Sequence, residues 1–165
     1  MSKNYLKAIA IGGGAAGFFG AIACAESNPD IRVTLIEAGR KPLAKVRISG
    51  GGRCNVTHNC FDPVRLVENY PRGGKALRGA FTRFQPQDTV EWFESRGVKL
   101  KTEADGRMFP VTDSSETIIN CLQETASKAG VKLLTGIGVK SIINHFLDNR
   151  QSNFEIELKN GKKLQ

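Results

Sequence analysis

The run Gly12-Gly13-Gly14-Ala15-Ala16-Gly17 constrains this chain more than any other feature. An apolar stretch, Ala8-Ile9-Ala10-Ile11, leads into it, and a helix-compatible stretch from Ala15 to Glu26 leads out. The next apolar run, Ile31-Arg32-Val33-Thr34-Leu35-Ile36, ends on Glu37. Glycines between a buried strand and a helix, with an acid closing the second strand, form a dinucleotide-binding fingerprint. Gly12 permits the tight turn, Gly14 lets the backbone approach a pyrophosphate, and Gly17 lets the helix pack close to the strand. The helix start adds unpaired N–H groups and a partial positive charge. Glu37 suits both hydroxyls of an adenosine ribose and repels a 2′-phosphate, so FAD or NAD is expected rather than NADP.

At 165 residues the chain can bury one ordinary domain core. No stretch approaches the ~20 apolar residues of a membrane span, so no membrane partner is expected. Strand one follows the N-terminus almost at once and the glycines interrupt the apolar stretch, which does not fit a secretory signal. Cys24, Cys54, Cys60 and Cys121 form neither a CxxC pair nor a disulfide framework, and read as reduced thiols of a cytoplasmic protein. The formal charge is +8. Its bases are dispersed along the chain and read as a solvated surface, so nucleic acid is not expected as a partner. Cys54, His58 and Cys60 lack a fourth ligand nearby, so no metal site is expected.

The pattern predicts strands over 7–11 and 32–37 around a helix over 15–27. A simple NAD domain would then build a helix and a third parallel strand. Residues 39–60 instead read as a glycine-rich, basic, irregular stretch, and such a long stretch is usually functional. Helices follow over 62–70, 75–84 and 87–96. A hairpin over 98–103 and 107–111 turns on Asp105-Gly106. Asp113 with Glu116 resembles an N-cap and its N3 partner for a helix reaching Ala129. A short strand over 131–134 precedes an antiparallel meander over 139–146, 154–158 and 162 onward. In 154–158 Phe154, Ile156 and Leu158 alternate with Glu155 and Glu157, as in a strand with one wet face.

These motifs together resemble a bacterial flavoprotein family. They are Gly12-x-Gly14-x-x-Gly17 with Glu37, then Lys45-x-x-x-Ser49-Gly50-Gly51-Gly52-Arg53-Cys54-Asn55-Val56-Thr57-His58, then Asp105-Gly106-Arg107-Met108-Phe109-Pro110-Val111. The family is usually described as NAD(P)/FAD-dependent oxidoreductases. Some members are labelled aminoacetone oxidase-like, and one branch is linked to bile-acid reduction. The resemblance implies an α/β fold: a Rossmann-like FAD-binding domain, with a parallel sheet, helices and an antiparallel β-meander. It further implies the N-terminal portion of a two-dinucleotide-binding-domain flavoprotein. The expected organisation is a βαβ unit and flavin loop over 1–60, a helical and hairpin insertion over 61–112, and a return to the FAD-binding domain over 113–165.

The cofactor-binding residues expected on this basis are Gly12, Gly14, Ala15, Ala16, Gly17, Glu37, Ala38, Arg40, Lys41, Lys45, Ser49, Gly50, Gly51, Gly52, Arg53, Cys54, Asn55 and Val139. Consecutive backbone N–H groups over 49–55 suit an anion or the close approach of a flat ring. In the resembling family this stretch lies along the flavin side of FAD. Arg40 and Lys41 are placed near the adenosine end or the phosphates, Arg53 near the flavin, and Ser49 and Asn55 within hydrogen-bonding reach of the ring or ribityl chain. Val139 is placed against the adenine. Cys54 sits beside Arg53, a neighbour that lowers a thiol pKa, although a small inert apolar role fits it as well.

No protein nucleophile or acid–base dyad is evident, as fits an enzyme whose cofactor carries the chemistry. The expected function is FAD-dependent oxidoreduction, passing hydride between NAD(P)H and a small organic substrate or oxygen. The alternatives are an NAD-only dehydrogenase domain and a basic, tRNA-associated flavoprotein.

Overall fold

The computed structural model describes residues 5–146 and 152–164. The chain divides into two compact units, one formed by residues 1–44 and 122–165, the other by residues 45–121.

The first unit is built on a parallel sheet. Strands β1 (Leu6–Ile11) and β2 (Ile31–Ile36) pair in parallel from Leu6 opposite Ile31 to Ile11 opposite Ile36. Helix α1 (Ala15–Ser27) connects them, burying Phe18, Ala21 and Ile22. Its exit is a side-chain turn in which the Asp30 amide donates to Asn28 Oδ1 (2.9 Å). The apolar run of β1 reads as a buried strand, yet Leu6 and Ile11 are exposed. Among the described residues β1 pairs with β2 alone and forms the edge of the sheet, whereas β2, in the middle, buries Val33, Leu35 and Ile36.

A short second helix, α2 (Ala44–Ile48), leads into the other unit. The 39–60 stretch, which starts in the first unit and continues into the second, is more regular than its composition suggests. A 3-10 turn spans Ser49–Gly52, and strand β3 covers Thr57–His58. Leu43 and Val46 are buried, and these apolar anchors order a segment that glycines and bases disguise as loop. Three helices follow: α3 (Pro63–Glu68), α4 (Gly74–Phe81) and α5 (Pro86–Glu94). Helix α3 starts on Asp62, whose carboxylate accepts from the Val64 amide (2.8 Å); at α5 the Asp88 carboxylate reaches back to the Gln85 amide (2.7 Å). The hairpin around Asp105-Gly106 forms as expected from β4 (Leu100–Thr102) and β5 (Arg107–Pro110), and β3 adds to it in the order β3-β5-β4. That third strand is too short to carry a periodic signal.

Helix α6 (Ser115–Lys128) begins in the second unit and ends in the first. Asp113 does not cap it. Asp113 adopts φ +53° and gives its carboxylate to Lys101 and Arg53, while Ser114 Oγ accepts from the Glu116 amide (3.3 Å). Strand β6 (Lys132–Leu134) then pairs in parallel with β2, giving the order β1-β2-β6.

The meander forms a separate antiparallel sheet of β7 (Val139–Phe146), β8 (Ser152–Leu158) and β9 (Lys163–Leu164). Ile156 and Leu158 are buried with Ile36, and Ile9, Leu134, Ile137, Val139 and Leu164 pack around them. Phe154, on the same face by alternation, is exposed, because its register partner is Asn144, away from that cluster. The opposite face is wet but paired: Glu157 meets Lys140 (2.7 Å) and Glu155 meets Lys163 (2.9 Å).

Candidate functional site: a braced glycine turn and a second glycine loop

In the first unit the turn after β1 is tight and tied to β2. Gly12 adopts φ +105°, a conformation that favours glycine, and its amide donates to the Ile36 carbonyl (2.7 Å), fixing the turn to β2. A Cβ on Gly17 would overlap the Gly12 carbonyl oxygen, lie 3.0 Å from the carbonyl carbon and 3.3 Å from Leu35 Cδ1. Gly17 is therefore a close-packing position. A Cβ on Gly14 would meet nothing within 4 Å, so the backbone there faces open space. Gly14 is the N-cap of α1, with no side-chain cap and no acid in the first turn. The first-turn amides, those of Ala15, Ala16 and Gly17, have no intrahelical acceptor and remain available to an anion.

Glu37 does more than the sequence shows. Its Oε2 accepts from the Gly13 amide (2.7 Å) and its Oε1 from the Gly39 amide (2.6 Å). The carboxylate thus braces the glycine turn to the end of β2, and each oxygen keeps a lone pair for a ribose hydroxyl. Gly13 and Gly39 join the candidate site through Glu37, and sequence reasoning missed both; a Cβ on Gly13 would lie 2.8 Å from Glu37 Cβ, and that crowding is invisible in the motif. Leu43, buried and at φ +58°, donates its amide to the Gly13 carbonyl (2.7 Å) and holds the turn from its other side. Glu37 lies just past β2, where its amide donates to the Leu134 carbonyl (2.8 Å) and its carbonyl accepts from the Ile137 amide (3.2 Å). Ala38 follows it, exposed, and Arg40 and Lys41 are exposed and free of ion pairs among the described residues. Val139 opens β7 and packs, half-buried, around the Ile36, Ile156 and Leu158 cluster.

The second unit carries the other glycine loop. Gly50, Gly51 and Gly52 have φ of +55°, +69° and +86°. The loop closes through the Cys54 amide on the Ser49 carbonyl (2.9 Å) and the Arg53 amide on the Gly50 carbonyl (3.4 Å). A Cβ on Gly50 would lie 2.8 Å from both the Asn55 nitrogen and Phe109 Cε1, whereas Gly51 faces open space. Ser49 Oγ donates to the Val46 carbonyl (2.9 Å). Asn55 faces the Thr57 and Met108 carbonyls (2.9 and 3.3 Å), two acceptors that assign its amide nitrogen, the donor, to that side. Lys45 is exposed on α2.

Arg53 is held within this unit. Its guanidinium pairs with Glu103 and with Asp113 (3.5 Å) and lies over the Phe109 ring, 4.1 Å from the centroid. The hydrogen bond to Glu103 raises its pKa above the ordinary arginine value, against a smaller opposing effect of burial. The activation of Cys54 by Arg53 is not found: the thiol is buried, and burial pushes its pKa up, with a partial offset from Ser49. Glu103, Asp113 and Phe109 are the partners sequence reasoning did not assign, and the quoted 105–111 motif supplies the ring.

Residues 6–165 match the family model described as the HI0933-like protein Rossmann domain. The chain is 30% identical over 132 residues to a 3-dehydro-bile acid delta(4,6)-reductase of Clostridium scindens, covering 80% of this chain and 31% of that protein. It is 33% identical over 124 residues to a ribosomal RNA dihydrouridine synthase of Escherichia coli, covering 75% of this chain and 30% of that protein. A solved 3-ketosteroid-delta4-(5alpha)-dehydrogenase from Rhodococcus jostii superposes with a TM-score of 0.68 at 14% identity, over 99% of this chain and 44% of the other. The chain therefore spans about a third of the length of these curated relatives. It belongs to the HI0933-like Rossmann family, and its fold is of the Rossmann-like FAD-binding class.

Proposed function

We propose that this member of the HI0933-like family binds FAD and belongs to an oxidoreductase that adds hydrogen across a carbon–carbon double bond of an organic substrate, with NAD(P)H as reductant. The observation that carries the reading is the double use of Glu37, which braces the amides of Gly13 and Gly39 beside an uncapped helix start and the open face of Gly14.

FAD, when bound, supplies two-electron transfer between a nicotinamide donor and the substrate. The residues of the chain bind and orient. Amides of the α1 first turn hold the diphosphate, and the α1 dipole favours its charge. Glu37 accepts from the ribose hydroxyls and selects against a 2′-phosphate. Arg40 and Lys41 add positive charge beside the diphosphate. In the second unit, loop 49–55 offers its own amides and the open face of Gly51. Both sequence relatives are named for reactions that saturate a double bond, a delta(4,6)-reduction and the making of dihydrouridine. That shared chemistry supports a reductase over an oxidase. An NAD-only domain is disfavoured, because the chain after β2 runs into the second glycine loop and only β6 later takes the third parallel position.

The test is the visible spectrum of the purified protein before and after adding NADH or NADPH without oxygen. A flavin spectrum that bleaches on addition, and returns when a conjugated enone is supplied, is expected. A protein that stays colourless when FAD is added refutes the reading.

A further inference from the structure

The bases look evenly spread along the sequence, but ion pairing sorts them. In the second unit Arg47 pairs with Glu116, Arg53 with Glu103 and Asp113, Lys101 with Asp113, and Arg107 with Asp105 and Glu103. Those cations are neutralised in place. Between Glu68 and Asp88 the chain has no carboxylate at all, yet it carries Arg72, Lys75, Arg78 and Arg83. All four are exposed, and none makes an ion pair among the described residues.

The fold gathers them. Gly74 lets α4 approach α3, since a Cβ there would lie 2.6 Å from the Val67 carbonyl oxygen. Leu77 and Phe81, one turn apart on α4, take the half-buried side, where the Phe81 ring lies 5.7 Å from that of Tyr70. Lys75 and Arg78, also one turn apart, occupy the exposed side, with Arg72 just before the helix and Arg83 just after it. Tyr70 is 41% exposed and Phe84 42%. An open recess of about 470 Å³, lined by Glu68, Tyr70, Pro71, Gly73, Gly74 and Lys75, brings the Tyr70 ring and one of the four cations to the same opening.

We propose that the α3–α4 face is an RNA-docking surface, on which Arg72, Lys75, Arg78 and Arg83 contact phosphates while an unpaired base stacks on Tyr70. Cations that make no ion pair among the described residues, with the exposed Tyr70 ring beside them, match the make-up of single-strand platforms. Three of the four cations are arginines, whose planar forks fit phosphate oxygens and stack on bases. Glu68 in the recess repels a phosphate but accepts from a base amine, which separates backbone from base across the face. An acidic protein would use the cations but leave Tyr70 and the recess without a role. The binding does not depend on the flavin reading.

The experiment follows fluorescence anisotropy of a labelled, unstructured 20-nucleotide RNA with the purified protein, and flavin content is recorded on the same samples. Four phosphate contacts give a slope of log K against log salt of about −3, which is roughly 50-fold weaker binding at 200 than at 50 mM salt. The combined Arg72→Gln, Lys75→Gln, Arg78→Gln, Arg83→Gln variant is expected to lose most of that slope and at least tenfold in affinity at 50 mM. A control with Lys7, Lys99, Lys132 and Lys162 changed to Gln carries the same net charge and is expected to retain both. Should the quadruple variant fail to fold, Lys75→Gln with Arg78→Gln reads half the slope change. Tyr70→Ala is expected to weaken RNA binding several-fold without changing the slope. The proposal is overturned if the variant and the control bind alike. It is also overturned if polyglutamate or vesicles containing anionic lipid bind through the same four residues as tightly as RNA does. Loss of RNA binding with flavin retained isolates this surface from the nucleotide site.

Discussion

Gly14 and Gly17 sit three positions apart in one motif, yet the structure gives them separable tasks, and alanine at each position tests that separation. At Gly17 the added methyl would overlap a backbone carbonyl oxygen and approach Leu35 Cδ1 to 3.3 Å. A backbone carbonyl fixed between β1 and α1 cannot rotate away, so the turn or the helix must move. Overpacking of this kind costs about 1–3 kcal/mol. For a chain of this size that lowers the melting temperature by about 2–12 °C. At Gly14 the methyl meets nothing within 4 Å, and the backbone, at φ −86° and ψ −174°, already suits alanine. The gain from a stiffer unfolded chain, about 0.4–1 kcal/mol, is offset by the poorer N-cap alanine makes, leaving stability nearly unchanged. On the proposed reading the same methyl stands where the diphosphate enters, and an intrusion of that size lowers FAD affinity by about 10–200-fold. Thermal unfolding by circular dichroism without nucleotide, paired with FAD titration, reads both. If Gly17→Ala melts with the parent, or Gly14→Ala keeps the parent affinity, the division between packing and nucleotide approach is refuted.

Three further outcomes follow from the same geometry. Glu37→Ala removes the acceptor of the part-buried Gly13 amide and of the exposed Gly39 amide, the second of which water satisfies instead; this costs about 1 kcal/mol and, on the proposed reading, at least tenfold in FAD affinity, while Glu37→Gln recovers one amide at most; melting and FAD affinity both equal to the parent would count against the brace. At neutral pH a thiol reagent is expected to label half-buried Cys24 and Cys60 and to reach buried Cys54 and Cys121 only in denaturant, so rapid labelling of Cys54 would show an activated thiol. Lys101 holds the Asp113 carboxyl, and Lys140 the Glu157 carboxyl, below the ordinary range, so both stabilise the fold above about pH 4 and lose that effect as pH falls through their folded values. Glu155 raises Lys163, whose contribution is present below about pH 10 and is lost as pH rises through its folded value. Melting temperature is therefore expected to be flat from about pH 5 to 9, and Glu157→Gln to converge on the parent in acid; a constant gap down to pH 2 would remove the carboxylate from the account.

Much of the first unit was legible because its signals are local. The turn glycines, the α1 span and the acid after β2 stand in one contiguous stretch, and strand–turn–helix geometry leaves few ways to arrange them. The edge position of β1 was not legible, because an apolar run reads the same in the middle of a sheet and at its edge, and only pairing distinguishes them. Asp113 misled for a related reason. An acid three residues before Glu116 fits a capping box, but capping is a choice among acceptors, and Lys101 and Arg53 compete for that carboxylate from elsewhere in the chain. Ser114, with no distant claimant, took the cap.

Arg53 shows how far adjacency can be carried. An arginine within a glycine loop reads as a charge aimed at whatever the loop binds. Its guanidinium is instead divided between Glu103 and Asp113 and laid on Phe109, the ring against which Gly50 has no room for a Cβ. A cation shared by two carboxylates projects little net charge beyond them, because their fields cancel within a few ångströms. Its effect on the loop is mechanical: it ties residue 53 to the β4–β5 hairpin beside the Phe109 ring on which Gly50 sits, and the open face of Gly51 is left uncovered by it. Cations that make no ion pair among the described residues keep a net charge that a ligand can meet; Arg40 and Lys41 in the first unit and the α3–α4 set in the second are among them.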